Sequence, residues 1–287
     1  MLLFIVAGVA IGSLYSLSAV GLLMLYRATG TLNLGYGGVG AVGALTAWQL
    51  NQRGVSLWAS LGVCVAICTG VSVVWGRVLG PPLAARDPLV RAAATLGLTI
   101  VSLGICGYFW NDDARTLNLP TDQSTFNLGS AQVTMTQVIA LVLVAVVAAA
   151  ASILLRVTRL GTTMRALADD RELTAMLGAR VRVAEAVAWA VCGLLGGVSA
   201  ILFADLTVLS AQNLASLIIP ALAAVLIGRL TSLWVAVAGG LILGILQSMV
   251  TSVTILSAYG AAVPFVAAVL VTLWFGRGLS YAMRGHA

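Results

Sequence analysis

A series of nine apolar runs, separated by short polar connections, constrains this chain more than any other feature. A helix that crosses a bilayer takes about 20 mostly apolar residues. Only 8% of the 287 residues carry a full charge, against about 25% in a typical soluble domain. The pattern predicts an all-α, polytopic integral membrane protein with eight or nine transmembrane helices, built as one transmembrane domain over residues 1–287. The runs lie at 3–26, 32–50, 57–75, 92–110, 135–155, 184–204, 214–228, 233–254 and 261–276.

Three of these runs need a closer description. The first follows Met1 with no basic segment ahead of it, so we expect an anchor rather than a removable signal peptide. The runs at 214–228 and 261–276 are short for a complete crossing. Full spans and tilted or re-entrant segments therefore remain open for both.

Arginine is distributed unequally between the two sides of the predicted bundle. When the connections are assigned alternately to two sides, 13 of the 15 arginines fall on one side, and Arg53 and Arg115 remain on the other. The positive-inside rule makes the arginine-rich side cytoplasmic. We expect the N-terminus outside, the C-terminus inside, an outer loop at 111–134 and a cytoplasmic segment at 156–183. The outer loop holds Pro120 and several asparagines, which predict surface turns rather than a domain.

The residue inventory excludes several chemistries. The chain has no lysine, its only histidine is His286, and its four cysteines all lie in apolar runs. We therefore expect no P-loop lysine, no metal site, no cofactor and none of the usual general bases of a membrane-embedded enzyme. The net charge of +6 is dispersed between apolar spans, so it fits membrane orientation better than nucleic-acid binding.

The cytoplasmic segment contains the signals of a short helix. Asp169 is followed three residues later by Glu172, which predicts a capping-box-like start at Asp169, and Asp170 adds negative charge at the positive end of the helix dipole. Gly178 suits the position just past the helix end.

This short helix is predicted to be amphipathic. Leu173, Met176 and Leu177 fall on one face at the spacing i, i+3 and i+4. Such a face can insert into a groove on a partner protein, or it can lie among the lipid headgroups at the membrane surface.

Glycine is concentrated at the start of the second run. Gly35 and Gly37 belong to a cluster that follows Asn33, and a helix can be interrupted there so that polar groups lie beside a transport path. Close helix packing is the alternative. It is the interpretation that we favour for two small-xxx-small pairs, Gly8 with Gly12 and Gly240 with Gly244.

Three stretches of the chain resemble a known family, the H-type permease subunit of branched-chain amino acid ABC importers. They are Leu14-Tyr15-Ser16-Leu17 with the residues from Leu25 to Gly37, the residues from Met164 to Gly178, and Ala223 to Gly228 with Gly239 to Gly244. The resemblance implies a subunit that forms half of a translocation pathway. It also implies partners: a homologous second permease in a heterodimer, two ATPase subunits, an extracytoplasmic solute-binding protein and the bilayer of a bacterial plasma membrane.

The resemblance also suggests site residues. The Met164 to Gly178 stretch is similar to the family's coupling segment, which inserts into a groove on the ATPase. This assigns ATPase coupling to Arg165, Asp169, Asp170, Glu172, Leu173, Met176, Leu177 and Gly178, and the substrate pathway to Asn33, Gly35, Tyr36 and Gly37. Since the chain lacks a Walker A lysine, ATP hydrolysis is expected on a separate subunit.

Two departures bear on the cargo. The family usually has an Ala-His-Gly-like sequence where this chain has Leu34-Gly35-Tyr36-Gly37, and a glycine-rich loop where it has Arg229 to Ser232. Because of these departures, the expected cargo is either a branched-chain amino acid or a related small organic solute. The alternative is a stand-alone secondary transporter or channel, which would usually show internal repeats and acids within the membrane. Asp205 and Glu185 are the acids nearest to such a position, and both lie close enough to an interface to be solvated.

Overall fold

The computed structural model is a bundle of helices with one small hairpin. It describes residues 2–84, 86–111, 113–117, 125–128, 131–253 and 257–284. The helices are α1 (Leu2–Thr29), α2 (Tyr36–Gln52), α3 (Leu57–Val78), α4 (Gly80–Ala84), α5 (Pro88–Trp110), α6 (Met135–Val157), α7 (Arg159–Asp169), α8 (Arg171–Met176), α9 (Val181–Leu206), α10 (Ala211–Ser216), α11 (Ile218–Ile227), α12 (Leu233–Ser252) and α13 (Val263–Arg284). A short 3-10 segment, Ser257–Ala262, precedes α13.

Within the described residues, six helices are long and apolar enough to cross a membrane: α1, α3, α5, α6, α9 and α12. The chain is therefore a multi-pass membrane protein, as its apolar runs predict. The larger number of eight or nine spans would also need α2, α10 with α11, and α13. It stays a prediction.

The seventh run is not one continuous helix. It forms α10 and α11, which are separated at Leu217. Pro220 is the third residue of α11, where its missing N–H group removes no intrahelical hydrogen bond. Leu217 keeps helical backbone angles, and the two helices together form one apolar stretch, Ala211–Ile227, that is shorter than the six long helices.

The two central helices are α1 and α9, which are mostly buried, whereas in α3, α5 and α6 only a minority of the residues are buried. α1 packs against α12, α9 and α6, and α9 also packs against α2 and α3. The interior therefore lies along α1 and α9, and the outer helices offer apolar side chains to lipid or to another subunit.

Glycine allows the closest of these approaches, between α1 and α12. A Cβ atom on Gly8 would lie 2.7 Å from the Ile245 Cα atom, and one on Gly12 would lie 2.8 Å from the Leu241 Cα atom. Real Cβ atoms do not come so near to backbone, so only glycine fits at these positions. The close packing predicted for the small-xxx-small pairs is confirmed.

The sequence predicts only surface turns for the outer loop of an all-α chain, and the structure differs from this prediction. The loop contains two antiparallel strands, β1 (Thr125–Leu128) and β2 (Ala131–Thr134), with Thr125 opposite Thr134 and Leu128 opposite Ala131. β-branched residues such as Thr125, Val133 and Thr134 favour extended backbone. The predicted turn at Pro120 lies outside the described residues.

Candidate functional site

The short helix of the segment 156–183 begins one residue later than its sequence predicts. Asp169 is the last residue of α7, whereas the backbone of Asp170 is extended, with φ −152° and ψ 114°. The Asp170 Oδ1 atom accepts a hydrogen bond from the Leu173 backbone N–H at 3.0 Å. The predicted cap at Asp169 is therefore wrong, because an N-cap residue needs non-helical backbone angles and only Asp170 has them.

The apolar face of α8 points away from the bundle, as its spacing predicts. Leu173, Met176 and Leu177 are 55%, 84% and 79% exposed. Thr174, the residue after Leu173, is buried, and its Oγ1 atom donates a hydrogen bond to the Asp170 carbonyl oxygen. Gly178 follows the helix with φ +78°, a left-handed conformation that glycine adopts without strain.

α7 attaches this exposed helix to the bundle. Met164 and Leu167 are buried, and Gly161 fits against the backbone of Leu154 and Leu155 at the end of α6. The Thr158 side chain caps α7 by accepting a hydrogen bond from the Gly161 N–H at 3.0 Å. α7 therefore packs closely against the end of α6.

A second attachment is an ion pair between α8 and α9. The Arg171 guanidinium donates two hydrogen bonds to the Glu185 Oε1 atom, at 2.9 and 3.1 Å. Sequence analysis missed this pair because the residues lie 14 positions apart, beyond the spacing of neighbours on one helix. The Thr158 cap could have been found, since threonine before a helical run is a known start signal. The other two coupling candidates, Arg165 and Glu172, are exposed.

The predicted pathway residues are packed in the interior of this single chain. Asn33 and Tyr36 are each 3% exposed, and Gly35 and Gly37 are buried. The Asn33 Oδ1 atom accepts a hydrogen bond from the Gly35 N–H at 3.1 Å, and its Nδ2 atom lies 3.6 Å from the Cys192 Sγ atom. Asn33 therefore stabilises the turn that leads into α2.

The helix interruption expected at this cluster is confined to the residues before α2. Residues 31–33 have no regular structure, 34–35 form a turn, and the later glycines of the cluster lie within regular helix. The Tyr36 hydroxyl lies 3.0 Å from the Ser199 hydroxyl on α9, and a Cβ atom on Gly37 would lie 2.6 Å from the Ala215 carbonyl oxygen of α10. The pathway assignment stays a prediction.

Arginines from five separate parts of the chain converge on one cavity of about 680 Å³. They are Arg27, Arg91, Arg165, Arg171 and Arg229, all assigned by the sequence to the same side. No sequence signal indicated that they meet. Among the residues that the structure describes, no group of three or more His, Cys, Asp or Glu side chains could hold a metal ion.

The chain is thus a multi-pass membrane protein in which one capped, amphipathic helix, α8, exposes its apolar side chains outside the bundle. The chain belongs to the family described as the permease component of the branched-chain amino acid transport system, whose family model matches residues 4–274.

Named relatives of this chain have the same description. The high-affinity branched-chain amino acid transport system permease protein LivH of Escherichia coli (strain K12) is 25% identical over 95% of this chain and 92% of its own length. A probable LivH of Methanocaldococcus jannaschii is 26% identical over 83% of this chain and 78% of its own length. The permease protein BraD of Pseudomonas aeruginosa is 23% identical over 85% and 84%, respectively.

Proposed function

We propose that this chain is the transmembrane permease subunit of an ATP-binding cassette importer and forms half of its translocation pathway. The observation that carries the proposal is the apolar face of α8, where Leu173, Met176 and Leu177 are exposed on a capped helix outside the bundle. Large apolar side chains that converge on one exposed face are typical of a site that a partner covers. Family membership supports the transport role.

The cargo that we propose is a branched-chain amino acid or a related small organic solute. The support comes from the relatives in E. coli and P. aeruginosa, which are named for branched-chain amino acid transport. Selectivity can also reside in the binding protein that delivers the solute.

The proposed assembly divides the labour between subunits. Because the chain has no lysine, it cannot supply the lysine that contacts nucleotide phosphates in a P-loop, so two separate ATPase subunits would hydrolyse ATP. A homologous second permease would complete the path against exposed helices such as α3 and α5. An extracytoplasmic solute-binding protein would dock on the outer loop 111–134.

The mechanism follows from the way in which α8 is attached. Closure of the ATPase pair would push on residues 163–178. The buried Met164 and Leu167 would transmit the displacement to the bundle, and the Arg171–Glu185 ion pair would transmit it to α9. Such a rigid-body displacement can tip the helices between inward-open and outward-open states.

Substitution on the apolar face of α8 tests the coupling role. In Leu173→Asp or Leu177→Asp, a charge replaces an exposed apolar contact, so the ATPase subunit should no longer co-purify while the permease still inserts. Thr162→Asp is the matched control, because Thr162 is exposed on the neighbouring helix α7. Normal transport by the Leu173 variant, or transport by this chain alone in liposomes, would contradict the proposal and favour the stand-alone transporter.

A second experiment tests the pathway residues. Tyr36→Phe removes one hydroxyl from the contact with Ser199 without changing the volume, and Asn33→Ala removes the hydrogen bond to Gly35. If these residues line the path, uptake kinetics change in both variants. Tyr36→Phe should keep assembly and thermal stability near the parent values, whereas Asn33→Ala should also lower the thermal stability, because it removes the hydrogen bond that stabilises the turn into α2. Unchanged uptake in both variants would remove them from the pathway.

A further inference from the structure

The five-arginine cavity has an unusual balance of charge. Among the described residues that line it, Arg27, Arg91, Arg165, Arg171 and Arg229 supply positive charge, and Asp169 supplies the one carboxylate. Arg171 is also paired with Glu185. Arg27, Arg91 and Arg165 still outnumber the carboxylate of Asp169.

The arginines are arranged at two depths. Arg27 and Arg91 are half-buried, whereas Arg165, Arg171 and Arg229 are exposed. Arg91 is held in place by a hydrogen bond from its Nη1 atom to the Thr29 carbonyl oxygen at 3.1 Å, and its buried Nε–H has no hydrogen-bond partner in the chain. The hydrogen bond to Thr29 fixes the Arg91 guanidinium in the wall of the cavity, where its charge favours an anion.

The gathering of the arginines is itself unfavourable without such an anion. Arg27 and Arg165 are close enough for their like charges to interact, and this repulsion is strongest where water is partly excluded. The positive-inside rule requires arginines on one side of the membrane, but it does not require that they converge on one concavity.

The loop between α11 and α12 also lines the cavity, and its backbone supports an anion-binding site as well. Arg229 and Leu230 have φ +53° and +60°, a left-handed conformation that is costly for side-chain-bearing residues and is often retained at binding sites. This turn brings the Arg229 side chain to the cavity that Arg27 and Arg165 line from α1 and α7.

We propose that this cavity binds a phosphate-bearing anion, which is either the headgroup of an anionic phospholipid or a soluble phosphate compound. Guanidinium groups bind phosphate oxygens in bidentate geometry, and the volume of about 680 Å³ lies within the range of small-ligand sites. The site shares Arg165 and Asp169 with the proposed coupling segment, but it goes beyond the proposed transport function, because binding of the anion needs neither ATPase nor cargo. The bound anion would join α1, α5, α7 and the α11–α12 loop.

The first measurement uses the full chain in a neutral detergent. Native mass spectrometry follows the binding of phosphatidylglycerol, with phosphatidylcholine as the neutral lipid, and calorimetry follows the binding of inorganic phosphate. The double variant R27Q/R165Q should lose about a hundredfold in affinity, since it removes two charge-assisted contacts and each accounts for about tenfold. Higher salt should also weaken binding in the parent.

Matched variants separate a binding role from a structural one. Arg156→Gln is the control, because Arg156 is exposed on the same predicted side and does not line the cavity. Arg229→Gln changes an exposed side chain, so it tests the site even if the double variant fails to fold. Asp169→Asn should change the affinity in the opposite direction and strengthen binding, because it removes negative charge from the cavity.

The outcomes are distinct. Binding of phosphatidylglycerol alone supports a lipid headgroup site, and binding of inorganic phosphate as well supports a soluble anion. The proposal is overturned if neither probe binds the parent chain. It is equally overturned if R229Q and the folded double variant bind like the parent.

Discussion

Asp169 and Asp170 are neighbouring carboxylates with different roles. Asp170 caps α8 through the Leu173 N–H, whereas Asp169 ends α7 and lines the arginine cavity. The difference arises from one backbone conformation, because only the extended residue can turn its side chain back onto the first N–H groups of the next helix.

At the scale of single residues, we predict that Asp170→Ala destabilises the first turn of α8. Loss of an N-cap costs about 1 kcal/mol, so amide hydrogen exchange at Leu173 should become about fivefold faster. Asp169→Ala is the control and should leave that amide near its parent rate, because Asp170 still caps the helix. Equal acceleration in both variants would contradict the assignment of the cap.

At the scale of elements, glycine positions determine which helices touch. Gly244 on α12 faces the backbone of Gly12 on α1, so the two helices pack with no side chain between them. Gly104 on α5 has open space around it, and only a minority of the residues in its helix are buried. Glycine is therefore needed for close packing at residue 244 of α12, whereas packing does not need it at residue 104 of α5.

We predict that Gly244→Ala destabilises the bundle while Gly104→Ala does not. An added methyl group at residue 244 would overlap the Gly12 backbone, and overpacking of this kind costs about 1–3 kcal/mol. The melting temperature of the detergent-solubilised chain should fall for Gly244→Ala. It should stay level or rise slightly for Gly104→Ala, because alanine favours helix. Two equal melting temperatures would show that the α1–α12 contact is not close.

The long apolar helices and the exposed face of α8 could be predicted from the sequence, but the outer hairpin and the contacts between elements could not. Apolar length predicts the six long helices, and the spacing of Leu173, Met176 and Leu177 predicts the exposed face, because both depend on local periodicity. The break at Leu217 and the Arg171–Glu185 pair depend on tertiary contacts. Local sequence signals do not separate the two adjacent aspartates either, so they predict the N-cap one residue too early.

Arg115 joins the outer loop to the bundle. Its Nη2 atom donates a hydrogen bond to the Trp110 carbonyl oxygen, its guanidinium lies 4.7 Å from the centre of the Trp48 ring, and its backbone pairs with Leu209. The sequence identifies Arg115 only as one of two outer arginines, since Trp48 and Leu209 lie far from it along the chain.

We predict that Arg115→Ala loosens this joint. Loss of the hydrogen bond and the cation–π contact should weaken the attachment by about 1–2 kcal/mol, so the Leu209 amide should exchange faster. Arg53→Ala is the matched control, because Arg53 is exposed and its removal should leave the Leu209 amide unchanged. Unaltered exchange in Arg115→Ala would mean that the backbone pairing alone holds the loop.

At the scale of the whole molecule, the distribution of the arginines relates the sequence to the predicted orientation of the chain in the membrane. Arg27, Arg91, Arg165 and Arg229 come from connections that the sequence assigns to one side, and they line one cavity. The structure therefore gathers on one side of the bundle residues that the positive-inside rule expects in the cytoplasm. α8 lies on that side as well, which is what ATPase coupling requires.

Cysteine labelling in intact cells tests this orientation directly. The four native cysteines are buried, so the parent chain should react little with a membrane-impermeant maleimide. Arg53→Cys and Arg156→Cys are a matched pair, since both arginines are exposed and lie on opposite predicted sides. Arg53→Cys should be labelled in intact cells, and Arg156→Cys only after permeabilisation. The reverse pattern would invert the topology, place α8 outside the cell and remove it from the reach of any cytoplasmic ATPase.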